Sequence, residues 1–126
     1  MDTTKAYLIY KLIHLLGLGM VFLSFGGMTM HAILGGEKQN DWRKPAIIGH
    51  GLGLFLMLLG GFGLLARMGI HWPWPPWVTG KFVIWLLFGG SVALIYKKPV
   101  MGKLLWFVSV VLLGVAAYLA LFKPGA

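Results

Sequence analysis

His14, His31, His50 and Lys81 are the side chains through which this chain could do chemistry, because each falls inside or at the end of a long apolar stretch. An imidazole or ammonium near hydrocarbon is costly, so it ordinarily faces a bundle interior and takes part in function. On the first stretch His14, Gly17, Val21, Ser24, Met28 and His31 follow one another in alternating three- and four-residue steps. On the second, His50, Gly53, Met57, Gly60, Leu64 and Arg67 do the same. Such spacing keeps residues on one interhelical face. The histidines therefore share faces with glycine and methionine rather than with bulky Leu and Phe.

Depth sorts these residues into two groups. His14 and His31 are 17 residues apart, about 25 Å along a helix at a rise of ~1.5 Å per residue, so they lie toward opposite membrane faces. Antiparallel packing of the first two helices brings His31 and His50 to one side. It leaves His14 on the other, with Lys81 and with His71 of the intervening loop. Two imidazoles from neighbouring helices, with glycine beside them, are what a b-type haem requires: nitrogen ligands for iron and a slot for the ring. His14, His31 and His50 are thus candidate metal ligands. Lys81, next to Thr79 and Gly80, is a candidate donor to a carboxylate such as a porphyrin propionate. Structural alternatives stand beside each reading. His31 and His50 could bond loop carbonyls or lipid headgroups, Lys81 and Lys11 could snorkel to the interface, and Met20, Met28, Met30 and Met57 suit either soft ligation or packing.

The elements that must position these groups are four spans, read at about 5–32, 45–68, 79–96 and 102–122. Each is long enough for the ~20 residues that cross a bilayer core. The chain has 126 residues, 59% of them hydrophobic, and a mean hydropathy of +0.84. The expected fold is all-α: a single integral membrane domain over residues 1–126, a four-helix bundle running up-down-up-down because short connections make neighbours antiparallel. The first span is too long for a cleavable signal peptide and lacks a small-residue cleavage site. Pro45 reads as the opening residue of the second helix, and residues 69–77, with Pro73, Pro75 and Pro76, read as non-helical. Trp72, Trp74 and Trp77 there suit the headgroup layer, as an anchor or as a lid over a site. The pairs Gly26-Gly27, Gly60-Gly61 and Gly89-Gly90 read mainly as packing devices, or as room for a flat cofactor.

The +8 net charge is spread over short loops and span ends, as topogenic charge is, so nucleic-acid binding is not expected. Lys38, Arg43, Lys44, Lys97, Lys98 and Lys103 fall on one side, which orients both termini away from the cytoplasm of a bacterial-type inner membrane. Cysteine is absent, so thiolate ligands and disulfides are excluded. Asp2, Glu37 and Asp41 are the only acids and lie outside the spans, which argues against an intramembrane carboxylate relay.

Two motifs resemble a known group. Residues Tyr10-Lys11-Leu12-Ile13-His14-Leu15-Leu16-Gly17, followed by Phe25-Gly26-Gly27, resemble the opening helix of the CopD- and HemJ-type membrane proteins. Trp77-Val78-Thr79-Gly80-Lys81-Phe82 is similar to that group's Trp-x-x-x-Lys pattern. The resemblance implies a small helical membrane protein that binds b haem and oxidises protoporphyrinogen IX through a His and a Lys, here His14 and Lys81. Its CopD branch implies copper passage or tolerance, to which His and Met ligands are suited. The chain departs from the HemJ pattern where a third-helix histidine is often found, carrying Gly89-Gly90-Ser91 and Tyr96 instead. Three functions follow: a haem- or porphyrin-binding electron-transfer protein or oxidase, with His31 and His50 as a second ligand pair or a quinone contact; a non-enzymatic accessory subunit of a larger membrane complex or homo-oligomer; or a copper-handling protein.

Overall fold

A computed structural model of the protein describes residues 3–125. Four helices account for nearly all of them: α1 (Thr3–Ile33), α2 (Arg43–Arg67), α3 (Pro76–Lys97) and α4 (Gly102–Phe122), with a 3-10 turn at Pro99–Met101 before α4. Each helix is long and apolar enough to cross a membrane. Among the described residues there is no strand, and the chain is an all-α four-helix membrane bundle.

Two helix starts differ from the sequence reading, and for one reason. The first four N–H groups of a helix have no intrahelical acceptor, so proline is tolerated throughout that turn. α2 begins at Arg43, two residues before Pro45. α3 begins at Pro76, so Pro76 and Trp77 form its first turn rather than loop. Pro75, in extended conformation (φ −63°, ψ 156°), precedes it and accepts from Val78 N–H at 3.0 Å.

The bundle is unevenly packed. In lipid, helices associate through close van der Waals contact and small residues rather than through hydrophobic exclusion. α1 and α2 press together along the two seams read from the sequence. A Cβ on Gly17 would stand 2.6 Å from the Gly53 carbonyl oxygen and from the Met57 nitrogen, and one on Gly60 would stand 2.6 Å from the His14 nitrogen. Backbone meets backbone at both places. The glycine pairs behave differently from expectation: Gly60 packs, but Gly26, Gly27 and Gly90 have nothing within 4 Å of where a Cβ would lie. They fall off the α1–α2 seam.

α3 and α4 lie against this hairpin through a smaller core. Val21, Phe25 and Met28 of α1 meet Ile84, Phe88 and Ile95 of α3 and Leu105 of α4. Phe88 sits edge-on to Phe22 at 5.1 Å and to Phe25 at 6.0 Å between centroids. Thr29 is fully buried there, its hydroxyl satisfied by the Phe25 and Gly26 carbonyls at 3.0 Å each. The outer face of α4, including Leu104, Phe107, Val111 and Leu121, is exposed and apolar, as a lipid-facing surface is.

Candidate functional site

α2 and α3 stand apart at the end of the bundle that carries the Trp-Pro loop, and the space between them is a cleft of about 120 Å³. His14 reaches it from α1 and Lys81 from α3, so the structure joins the two residues that the sequence placed on one side. Nearly everything else lining it is apolar: Leu18 and Phe22 of α1, Met57 and Leu58 of α2, Ile84 of α3 and Ala116 of α4 among them.

His14 is fixed by one hydrogen bond. Its Nδ1 lies 2.8 Å from the Met57 carbonyl oxygen. A carbonyl only accepts, so Nδ1 carries the proton and donates. In the neutral ring the lone pair is then on Nε2, which makes no hydrogen bond within the described residues. A backbone carbonyl that holds one ring nitrogen and so sets the tautomer is the usual support of a ligating histidine. Gly60 lets the α1 backbone approach α2, since a Cβ there would stand 2.6 Å from the His14 nitrogen, and the imidazole lies over Gly61, whose Cβ position is 3.6 Å from its Cε1.

Aromatic rings build the α3 wall. Phe82 and Trp85 are stacked, 5.6 Å between centroids and 14° between planes. Trp85 Nε1–H crosses the gap to donate to the Leu54 carbonyl of α2 at 2.9 Å. Trp74 of the loop contacts Phe62 of α2 at 5.9 Å and Phe82 at 5.5 Å, so the loop covers one end of the cleft. Its neighbour Trp72 is 77% exposed, placed as an interfacial ring. The loop thus holds an exposed tryptophan and a covering one side by side. The cleft's aromatic face was readable in outline, because Trp77, Lys81 and Trp85 recur every four residues on one helix face; the sequence reading had singled out only the first two.

The other candidates lie elsewhere. His31 Nε2 donates to the Glu37 carbonyl at 2.6 Å, and Asn40 Nδ2 donates to the same oxygen at 3.0 Å. This imidazole ties down the α1–α2 turn. His50 is buried to 2% exposure with its ring 5.9 Å from that of Phe25, and its Nε2 has no partner. Among the described residues no hydrogen bond joins His31 and His50, His31 lines a cavity at its end of the bundle that His50 does not reach, and His50 stands seven residues from Met57 on α2, about 10 Å along the axis. Lys11 is exposed over the Tyr7 ring at 5.7 Å, and His71 is exposed in the loop. Among the described residues no three His, Asp or Glu side chains converge. Neither a protein-family model nor a curated protein nor a solved structure matches this chain.

Proposed function

We propose that this integral membrane protein binds a planar redox group, b-type haem or its porphyrin, in the cleft between His14 and Lys81, for electron transfer or, in its enzymatic form, protoporphyrinogen oxidation. One observation carries the reading: a histidine with its tautomer fixed and its Nε2 free opens onto the same aromatic-walled cleft as an ammonium group. His14 Nε2 would hold the metal, and Lys81 would pair with a propionate as a charge-assisted donor. Phe82 and Trp85 offer ring faces for stacking, and the apolar walls keep water from the site. Haem bound there would supply one-electron chemistry, with the protein contributing orientation and the local field.

The donor chemistry fits this group better than the space does. The cleft's 120 Å³ is smaller than the ~300–1,000 Å³ of sites that enclose a drug-sized ligand, so the ring would be only partly enclosed. That volume favours a second reading, a quinone whose single ring takes a hydrogen bond from Lys81 and stacks on Trp85.

Absorption of the purified protein separates these. Haem binding gives a Soret band that His14→Ala removes, that Lys81→Ala weakens by about ten-fold in affinity, and that His31→Ala and His50→Ala leave in place. Colourless protein whose tryptophan emission is quenched by a short-chain quinone, and much less so after Lys81→Ala, supports the quinone. Stoichiometric copper supports the copper-handling alternative, and colourless, metal-free protein that co-purifies with other subunits supports the accessory role.

A further inference from the structure

A second cavity lies at the opposite end of the bundle, and its chemistry is different. It has a volume of about 370 Å³ and is bounded by the end of α1, the α1–α2 turn, the start of α2 and the end of α3. Its mouth is cationic. Arg43 and Lys38 line it beside Asn40, while Met28, Ala46 and Ile95 form an apolar floor. Six Lys and Arg residues, at 38, 43, 44, 97, 98 and 103, face two acids, Glu37 and Asp41, at this end.

Arg43 is held in place without being neutralised. Its guanidinium lies 4.5 Å from the centroid of the Tyr96 ring and forms no ion pair among the described residues. Stacking of this kind orients the planar fork while leaving its N–H donors for an anion. Arg43 opens α2 and Tyr96 falls in the last turn of α3, so both sit where hydrocarbon gives way to headgroups.

The floor continues as an open groove down α1. Leu23 and Gly27, four residues apart, both line the cavity, and the space over Gly27 is empty to at least 4 Å. Gly27, which packs against no helix, therefore leaves open space for a hydrocarbon chain in a cavity that also holds the Arg43 cation.

We propose that this cavity is a binding site for one anionic phospholipid, with its phosphate on Arg43 and Lys38 and an acyl chain lying over Gly27. Basic pockets at the ends of transmembrane helices recognise such headgroups, and the excess of cations at this mouth favours a lipid with net negative charge over a zwitterionic one. The site is independent of the His14–Lys81 cleft.

Native mass spectrometry of the full chain, released from detergent micelles doped with phosphatidylglycerol or phosphatidylcholine, tests this. Phosphatidylglycerol should be retained preferentially. Arg43→Ala should lower its retention by about five-fold, the factor equivalent to ~1 kcal/mol per cation, and Arg43→Lys should restore part of it. Lys38→Ala, in an exposed turn, should act in the same direction and needs no change in the helices. Gly27→Leu should fill the groove and displace the lipid with the helical circular dichroism unchanged. Equal retention of the two lipids overturns the proposal, as does a phosphatidylglycerol signal indifferent to Arg43→Ala, Lys38→Ala and Gly27→Leu. Displacement of phosphatidylglycerol by millimolar inorganic phosphate, with Gly27→Leu without effect, also overturns it, because the site would then serve free phosphate.

Discussion

His14 and His50 are both imidazoles on the α1–α2 seam, yet only one of them has its polar atoms accommodated. His14, on the wall of the cleft, donates through Nδ1, whereas His50 buries an Nε2 that has no hydrogen-bond partner among the described residues. An unpaired buried polar atom costs about 1–3 kcal/mol, so His50→Leu, similar in volume, is expected to stabilise the protein by ~1 kcal/mol. Thermal denaturation in detergent measures this; a lower midpoint shows that Nε2 has a partner in the membrane. Trp85→Phe keeps an aromatic ring but removes the bond to Leu54 and part of the indole's volume, with an expected loss of at least about 0.5–1.5 kcal/mol in the same assay. The spacing of these residues places each on its face, and that much was legible for His14 and Lys81. Where a ring nitrogen points depends on rotamer and on the opposing backbone, which is why the spacing suggested a His31–His50 pair that the structure does not form. His31 was drawn instead to the Glu37 carbonyl by the geometry of a short turn.

At the level of helices, glycine has two opposite meanings in this chain. A Cβ added to Gly17 or Gly60 would meet backbone atoms at 2.6 Å, and backbone cannot rotate away as a side chain can. Gly17→Ala or Gly60→Ala is therefore expected to cost about 1–3 kcal/mol by forcing α1 and α2 apart. Gly90→Ala meets nothing, and should stabilise α3 by the ~0.5–1 kcal/mol that glycine costs inside a helix. Denaturation of the three variants side by side checks the contrast. Alternating three- and four-residue steps had marked Gly17, Gly53 and Gly60 as interfacial, and they are. Adjacency in a Gly-Gly pair had suggested the same for Gly26, Gly27 and Gly90, but none of the three has an atom within 4 Å of where its Cβ would lie, because adjacency alone does not fix which face of a helix meets a neighbour. The span ends were legible to within a few residues, and the errors fell at Pro45 and Pro76, where a first helical turn has no use for the missing N–H.

For the molecule as a whole, the four spans and their antiparallel order followed from length and hydropathy, but the unequal packing did not. Helices that are apolar on every side give little sign of which face meets a neighbour and which meets lipid. The distribution of Lys and Arg predicts that both termini lie on the non-cytoplasmic side. Alkaline phosphatase fused to the C-terminus should be active, and a fluorescent protein placed there should be dark, if the turns carrying Lys38, Arg43, Lys97 and Lys98 are cytoplasmic. Fusion at the α1–α2 turn should give the reverse. Lastly, the glycine seam has a consequence for biogenesis. α1 and α2 can clasp as soon as Arg67 has cleared the translocation machinery, before α3, which supplies Lys81 and the aromatic wall, has emerged behind them. The cleft is thus finished late, against a scaffold that is already rigid, and its occupant would be captured as the second hairpin docks rather than threaded into a completed bundle.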